Sequence, residues 1–245
     1  MAFVIEGASR PGRWVVTCDH ASNAVPDWVC GGDLGISPDD MARHIAWDVG
    51  AAGLASALGR ALDSPAILSR FSRLVIDPNR GALDPTLVMK LYDGTIIPGN
   101  RHITGDDIEE RMDRLYRPYH HALAGLMARR ADTVLLAVHS FTPCLRGRAS
   151  RPWHMGVLYS HRGPELSLPL LNELAGIPDL CVGDNEPYAG HLPGDSVDQH
   201  ALRSGRLNTL IELRNDLIRD ASAQVAWAAR LVPALRAALA AAEGR

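Results

Sequence analysis

The sequence predicts a three-layer α/β/α fold around a mostly parallel, mixed central sheet. Short apolar runs rich in β-branched residues alternate with longer segments of helical periodicity, an order typical of strands joined by crossover helices. The chain has 245 residues, of which 47% are hydrophobic and 22% charged, as in ordinary globular proteins. Since α/β domains of this length are common, we expect one domain over residues 1–245.

Charge and hydropathy limit the partners that we expect. With 25 Lys and Arg against 28 Asp and Glu, the net charge of −3 provides no basic field for nucleic acid or an acidic membrane surface. The sequence contains no run of about 18 apolar residues and no signal-peptide pattern over Met1–Arg13. It therefore predicts a cytoplasmic protein without nucleic-acid or membrane partners and leaves the oligomeric state open.

The first predicted strand is Trp14–Cys18, an apolar run that ends in the polar string Asp19–Asn23. This pattern is typical of a buried strand with polar groups at its carboxyl end. Two more short apolar runs, Ala66–Ser69 and Leu74–Ile76, also predict strands. The second of these must end before Pro78, because proline cannot continue a central strand.

One long helix is predicted between the first two strands. Ser37 is a favourable N-cap, followed directly by a proline and two aspartates, and the helix would run for about 20 residues through Leu62. His44 and Asp48 are four residues apart, so they would share one helix face. In that arrangement His44 could orient the Asp48 carboxylate.

The next segment, Gly81–Arg101, is punctuated by glycine and proline, which predicts an excursion over the surface. Thr104 and Asp107 then form the pattern of a capping box and predict the start of a second helix. Apolar residues recur at helical spacing as far as Leu126. Pro118 should kink this helix.

The second half of the chain contains the clearest central strand, Thr133–Val138, which is continuously apolar. His154–Tyr159 and Leu207–Leu213 predict two more strands. The last segment, Asp220–Ala241, is rich in alanine and predicts an amphipathic helix.

Polar side chains follow four of the predicted strands. In a parallel sheet the ligand crevice lies outside the carboxyl ends of the strands, so these side chains should meet there. The four groups are His20 with Asn23, Asp77 with Asn79 and Arg80, His139 with Ser140, and Glu212 with Arg214. A solvated loop has no preference for histidine, and the grouping therefore predicts a functional site.

Two of these residues predict a metal centre. His20 and His139 suit zinc, because neutral imidazole is its favoured nitrogen ligand, and a catalytic zinc site needs three protein ligands and an open position. We expect a carboxylate to complete the set. Asp48 is our candidate, with Asp19 and Asn23 as the alternatives.

Two further groups have both a functional and a structural interpretation. Glu212 ends an apolar strand, where a partly desolvated carboxylate can have the raised pKa of a general base; the alternative is an ion pair with Arg214 on the same strand face or with another arginine. Arg80, beside Asn79, offers a guanidinium fork suited to a substrate carboxylate. A buried ion pair with Asp77 is the alternative there.

Several strings resemble the N-formylglutamate amidohydrolase family over most of the chain, from about residue 15 to residue 218. They are Asp19–Asn23, Arg43–Ala51, Ser69–Arg80, Asp93–Arg101 and Tyr116–His120. The segments at 77–80 and 139–140 are the most specific of the matching pieces. The resemblance implies a hydrolase of linear amide bonds.

More distantly, the order of motifs is similar to that of zinc carboxypeptidases and aspartoacylase-type deacylases. This resemblance implies a phosphorylase/hydrolase-like fold and roles for individual residues. His20 and His139 would be zinc ligands, Asn79 and Arg80 would hold the substrate carboxylate, and Glu212 would be the general base.

One departure concerns the third metal ligand. Those relatives carry a glutamate three residues after the first histidine, where this chain has Asn23. The matching helix of the N-formylglutamate amidohydrolase family carries an aspartate at the position of Asp48, which makes Asp48 the substitute.

The reaction that the resemblance implies is the hydrolysis of a small anionic N-acyl amino acid, such as N-formylglutamate to formate and glutamate, with one zinc ion per chain. Arg70 and Arg73 would help to orient the α-carboxylate. His191 and His200 lie in the glycine-rich stretch 188–205, interpreted as a loop at the crevice, and either could contact the substrate. A peptidase or amidase acting on a peptide or cell-wall amide, and a non-catalytic module that binds carboxylate ligands, are the alternatives.

Overall fold

The computed structural model describes residues 1–244 and contains a seven-stranded sheet. Its strands are β1 Phe3–Glu6, β2 Trp14–Cys18, β3 Ala66–Ser69, β6 Val134–Phe141, β7 Met155–Leu158, β8 Val182–Asp184 and β9 Asn208–Arg214, and β4 Leu91–Tyr92 and β5 Thr95–Ile96 form a separate hairpin. The order of the strands in the sheet is β1-β3-β2-β6-β9-β7-β8. The pairs β3-β2, β2-β6, β6-β9 and β7-β8 are parallel, whereas β1-β3 and β9-β7 are antiparallel. The predicted mostly parallel, mixed sheet is confirmed.

Helices cover both faces of this sheet. Their bounds are α1 Pro38–Met41, α2 Ala51–Ala61, α3 Gly105–Arg111, α4 Arg117–Met127, α5 Ser167–Ala175, α6 Ser196–His200 and α7 Ala221–Glu243. Because side chains alternate along a strand, Leu136 of β6 packs with α2, α5 and α7, whereas its neighbour Leu135 packs with α4 and α6. Each face of the sheet is thus buried by its own helical layer, which confirms the three-layer fold.

The single helix predicted from Ser37 to Leu62 is wrong. The structure has the short α1, then an irregular segment, and then α2, so His44 and Asp48 do not share a helix face. Two contacts explain the break. Gly50 has a left-handed backbone with φ 82°, and a Cβ atom there would lie 2.2 Å from the Ile218 carbonyl oxygen. The backbone N–H of Asp48 donates to the His20 carbonyl at 2.9 Å, outside any helix.

The predicted strand Leu74–Ile76 is also wrong: this run is a fully buried turn segment. Side chains satisfy its backbone in place of a neighbouring strand, because Asn100 donates to the Leu74 carbonyl at 2.7 Å and Arg111 to the Val75 carbonyl at 2.7 Å. The predicted surface excursion Gly81–Arg101 is correct only in part, since Ile97 and Asn100 are completely buried. The apolar residues predicted burial correctly in these segments, but they did not predict whether the backbone forms a strand or a turn.

The other helix signals have mixed outcomes. Thr104 and Asp107 form the predicted capping box. Pro118 is the second residue of α4, and this helix directly follows a π-helical segment, Met112–Tyr116. The irregularity of the helix therefore precedes the proline. The stretch 188–205 is not purely a loop, because it contains α6.

The last helix, α7, is close to its prediction and packs against α2 and α5. Within residues 1–244 it is the one helix long and apolar enough, by length and composition, to cross a membrane. In the fold, Leu231 and Leu235 of α7 belong to the core between the helices and the sheet. Such burial is typical of a core helix.

Candidate metal centre and substrate cavity

His20, Asp48 and His139 form a buried cluster whose potential ligand atoms all lie within 4.8 Å of one another. They come from three places in the chain: His20 follows β2, Asp48 lies in the segment before α2, and His139 lies near the carboxyl end of β6. Since β2 and β6 are adjacent parallel strands, their carboxyl ends meet at one edge of the sheet. This arrangement can hold a metal ion.

The imidazoles of His20 and His139 both direct their Nδ1 atoms toward Asp48. The Nδ1 atoms of His20 and His139 lie 3.3 Å and 2.9 Å from Oδ2 of Asp48. Their Nε2 atoms face other carboxylates: that of His20 lies 2.7 Å from Oδ1 of Asp77, and that of His139 lies 3.7 Å from Oδ2 of Asp19. Both Nδ1 atoms therefore converge on the same carboxylate oxygen.

The two outer carboxylates are themselves held by buried donors. The Tyr119 hydroxyl donates to Oδ1 of Asp19. Arg73 donates to Oδ2 of Asp77 at 2.9 Å, and the backbone N–H of Asn79 donates to Oδ1 of Asp77 at 2.8 Å. These contacts fix the carboxylates that in turn orient the imidazoles, as in the supporting shells of metal sites.

Burial alone would raise the pKa of all three aspartates, but cationic neighbours outweigh it. His139 and His20 lower the pKa of Asp19 to about 2, and they hold that of Asp48 far below its ordinary value. Arg73 and His20 do the same for Asp77. Although burial opposes it, Asp19 and Asp48 raise the pKa of His139 to about 10. The cluster therefore stabilises positive charge.

The residues present fit a zinc ion. Two imidazole nitrogens and one carboxylate oxygen are a donor set that catalytic zinc sites use. Within the described chain, Nε2 of His139 and Oδ2 of Asp19 are buried without a hydrogen-bond partner, at 3.7 Å from each other. Three buried carboxylates face one buried guanidinium, that of Arg73. When the two imidazoles are neutral, as metal ligation requires, a divalent cation would balance this excess of negative charge.

Glu212 lies beside this cluster on β9, opposite His139 in the β6-β9 register. Burial raises its pKa to about 7. Its Oε2 atom is buried and has no hydrogen-bond partner among the described residues. The alternative ion pair with Arg214 is wrong, because Arg214 pairs with Asp216 at 2.8 Å. Glu212 is therefore an unpaired carboxyl group poised between its two protonation states near neutral pH.

A cavity of about 280 Å³ opens in front of these residues. Its lining includes Arg73, Asn79 and Arg80 as well as the metal cluster and Glu212. Arg80 donates to the Asn79 carbonyl at 2.8 Å and to Thr86 at 3.1 Å, and it lies 3.9 Å from Asp77. The Asp77 contact is thus the longest of the three, while the guanidinium remains at the cavity wall.

The loop that carries Asn79 and Arg80 is anchored from outside the cavity. The Tyr116 hydroxyl donates to the Arg80 carbonyl at 2.7 Å. The backbone N–H of Ser196 donates to Oδ1 of Asn79 at 3.3 Å, while Gln199 donates to the Tyr116 hydroxyl at 2.9 Å. The π-helical segment Met112–Tyr116 and helix α6 thereby hold this loop in place.

Four residues considered from the sequence lie elsewhere or have other partners. Arg70 is exposed and outside the cavity lining. His200 is also outside it and stacks on His120, with Nε2 2.8 Å from Nδ1 of that ring. His44 lines the cavity, but its Nε2 atom faces Asp93 at 3.5 Å and not Asp48. Asn23 donates to the Met41 carbonyl at 2.9 Å.

Sequence reasoning missed the parts played by Asp19, Asp77 and Tyr119. Asp19 and Asp77 were considered only as an alternative ligand and as a structural ion pair, although both stand among polar residues that follow apolar runs. Tyr119 occurs at helical spacing and gives no signal beyond that of a core aromatic residue. Arg73, which was expected to contact substrate, lines the cavity and also bridges Asp77 and Asp48.

Comparisons with known proteins show the family and the fold of the chain. Residues 12–219 match the family model of N-formylglutamate amidohydrolase. The crystal structure of a gene product from Agrobacterium tumefaciens is 33% identical, with 99% of this chain and 96% of that chain covered and a TM-score of 0.92.

The crystal structure of N-formylglutamate amidohydrolase from Ralstonia eutropha is 22% identical, with 100% of this chain and 99% of that chain covered and a TM-score of 0.73, and it shows the shared fold. No curated protein sequence matches the chain. Since the family model spans most of the sequence, the chain belongs to the N-formylglutamate amidohydrolase family.

Proposed function

We propose that the chain is a zinc-dependent amidohydrolase that cleaves the amide bond of a small N-acyl amino acid, of which N-formylglutamate is the family's example. One zinc ion would be held by His20, Asp48 and His139. The observation that carries the proposal is the unpaired Glu212 carboxyl group beside a buried Nδ1, Oδ2, Nδ1 donor set. Family membership supports the same class of reaction.

When bound, zinc supplies a Lewis acid that polarises a carbonyl group and lowers the pKa of water. Glu212 acts as the general base: its carboxylate takes a proton from the attacking water and then passes it to the leaving nitrogen. A pKa near 7 suits both transfers, because the group can gain and lose a proton at neutral pH.

Arg80 and Asn79 orient the substrate through its α-carboxylate. A guanidinium can donate two parallel hydrogen bonds to a carboxylate, and the side-chain amide of Asn79 adds a neutral donor beside it. Arg73 has a different part, because its contacts with Asp77 and Asp48 hold the residues around the metal. Substrate binding and metal support are therefore divided between two arginines.

The test is a metal analysis of the purified protein together with turnover of a panel of N-formyl and N-acetyl amino acids. We expect about one zinc per chain, loss of turnover after chelation, and recovery when zinc is restored. Zinc should also raise the melting temperature, since it binds the folded state.

Full turnover by metal-free protein would contradict the proposal. Hydrolysis of larger peptide or cell-wall amides, with no turnover of acyl amino acids, would favour the peptidase alternative. Binding of carboxylates without turnover of any amide would favour the non-catalytic alternative.

A further inference from the structure

One wall of the substrate cavity is apolar. Leu158 of β7 and Leu210 of β9 are direct cross-strand partners, and both line the cavity. Leu210 precedes Glu212 by two residues on the same strand face, so the two side chains are about 7 Å apart along the strand. Phe141 and Ala189 are also in the lining. The wall is therefore built next to the position where the scissile amide would lie.

The cavity has few cations available to a ligand. Arg73 and Arg80 are its two guanidinium groups. Arg73 already forms ion pairs with Asp77 at 2.9 Å and with Asp48 at 3.5 Å. Arg80 uses Nε and Nη1 in contacts with Thr86 and Asn79; no hydrogen bond among the described residues engages its Nη2 atom. One guanidinium thus remains for one carboxylate.

The other charged groups near the cavity do not offer a second anion site. Asp195 is buried in the lining and accepts from the backbone N–H groups of Leu192 and Asp198. Arg151 lies outside the lining, where it donates to the Thr142 carbonyl at 3.1 Å and covers the ring of Tyr188. His44, the other basic side chain of the lining outside the metal cluster, faces Asp93 at 3.5 Å. A second substrate carboxylate would therefore meet the apolar wall, another carboxylate or neutral groups such as the hydroxyls of Ser140 and Tyr188, and no free cation of the lining.

We infer that the preferred substrate carries a single carboxylate and an apolar side chain, as in an N-acyl leucine, and not the second carboxylate of glutamate. The inference rests on the proposed function and deepens it. An apolar side chain against Leu158 and Leu210 gains from leaving water. A second carboxylate buried there loses its hydration without gaining a partner.

The test uses the zinc-loaded protein and four substrates that separate charge from size: the N-formyl derivatives of L-leucine, L-glutamate, L-glutamine and the γ-methyl ester of L-glutamate. We expect kcat/KM to be at least tenfold higher for the leucine derivative than for the glutamate derivative. The glutamine and methyl ester derivatives should also exceed glutamate, because they match its length without the second charge. Equal or higher kcat/KM for the glutamate derivative overturns the inference.

A pair of variants tests the wall itself. Leu210→Lys places a cation in the wall and should raise the ratio of kcat/KM for glutamate over leucine at least tenfold. Leu210→Gln is the matched neutral control and should raise it much less. An equal effect of both variants would mean that polarity alone, and not charge, decides the preference, and this result would overturn the inference. If Leu210→Lys does not fold, the wild-type panel still decides.

Binding separates failure of the inference from failure of the proposed function. Calorimetry with zinc-loaded Glu212→Gln protein measures the affinities of the same four compounds without turnover. Tighter binding of the leucine derivative, with no hydrolysis by the wild type, would overturn the proposed function, whereas the preference of the cavity for a single carboxylate and an apolar side chain would stand. Tighter binding of the glutamate derivative would overturn the inference, whatever the turnover.

Discussion

Oδ1 of Asp77 lies 2.7 Å from Nε2 of His20 and thereby turns the Nδ1 atom of that ring toward Asp48. Arg73 holds the second oxygen of Asp77 at 2.9 Å. The orientation of one candidate ligand thus depends on a carboxylate more than fifty positions away along the chain and on the arginine that anchors it.

Asp77→Asn keeps the size of the side chain but removes its charge. We expect zinc affinity to fall by about 10- to 100-fold, the usual cost of losing a group that supports a metal ligand. Competition with a chelator of known affinity measures the change. Asp216→Asn is the matched control, since Asp216 pairs with Arg214 outside the cavity. Unchanged zinc affinity in Asp77→Asn would show that Asp77 does not support the metal ligand His20.

Glu212→Gln tests the general base. The substitution preserves shape and removes the proton acceptor, so kcat should fall by about 10²- to 10⁴-fold. Zinc content should stay the same, because Glu212 is not in the ligand cluster. Steady-state kinetics and metal analysis of the same preparation measure both. Wild-type kcat in this variant would mean that another group takes the proton.

The pH dependence of activity follows from the same residue. Burial raises the pKa of Glu212 to about 7, and the base must be ionised to accept a proton. We therefore expect kcat/KM to rise as pH increases through about 7 and then to level off. The residual activity of Glu212→Gln should lack this rise. A wild-type profile that is flat between pH 5 and pH 9 would contradict the assignment.

Whereas activity should rise with pH, the contribution of Glu212 to stability should fall as pH rises. The folded state raises the pKa of Glu212 from 4.5 to about 7, so it binds this proton more tightly than the unfolded state does. The contribution of Glu212 to stability is present below pH 4.5 and is lost as pH rises to about 7. In chelator-treated protein, the free energy of unfolding of Glu212→Gln minus that of the wild type should therefore grow across this interval. Parallel denaturant titrations measure the difference, and a constant difference would contradict the prediction.

Arg80→Lys separates charge from the guanidinium fork. Lysine keeps the positive charge but cannot donate two parallel hydrogen bonds, so KM should rise about tenfold with little change in kcat. Arg70→Lys is the matched control, because Arg70 is exposed and outside the cavity lining. A similar rise of KM in both variants would show that the effect is not local to the cavity.

Much of the fold could be predicted because its signals are local. The run Trp14–Cys18 is a strand with the predicted bounds, and the capping box at Thr104 depends on residues three positions apart. The apolar run Thr133–Val138 predicted most of β6, although the strand continues beyond the expected end, through His139 to Phe141. The predictions failed where distant residues decide the backbone, as at Leu74–Ile76, whose carbonyl groups bond to the side chains of Asn100 and Arg111.

The sequence by itself determined the α/β class, the strand ends that carry His20, His139 and Glu212, and the resemblance to the family. Only the tertiary structure decided which imidazole nitrogen each aspartate contacts. Asp48 faces the Nδ1 atoms of both histidines, whereas Asp77 lies beside Nε2 of His20 and Asp19 faces Nε2 of His139. Local patterns report burial and strand ends, which depend on neighbours in the chain. The pairing of buried charges depends on groups that folding brings together, because a charge removed from water takes whichever opposite charge or donor lies within reach.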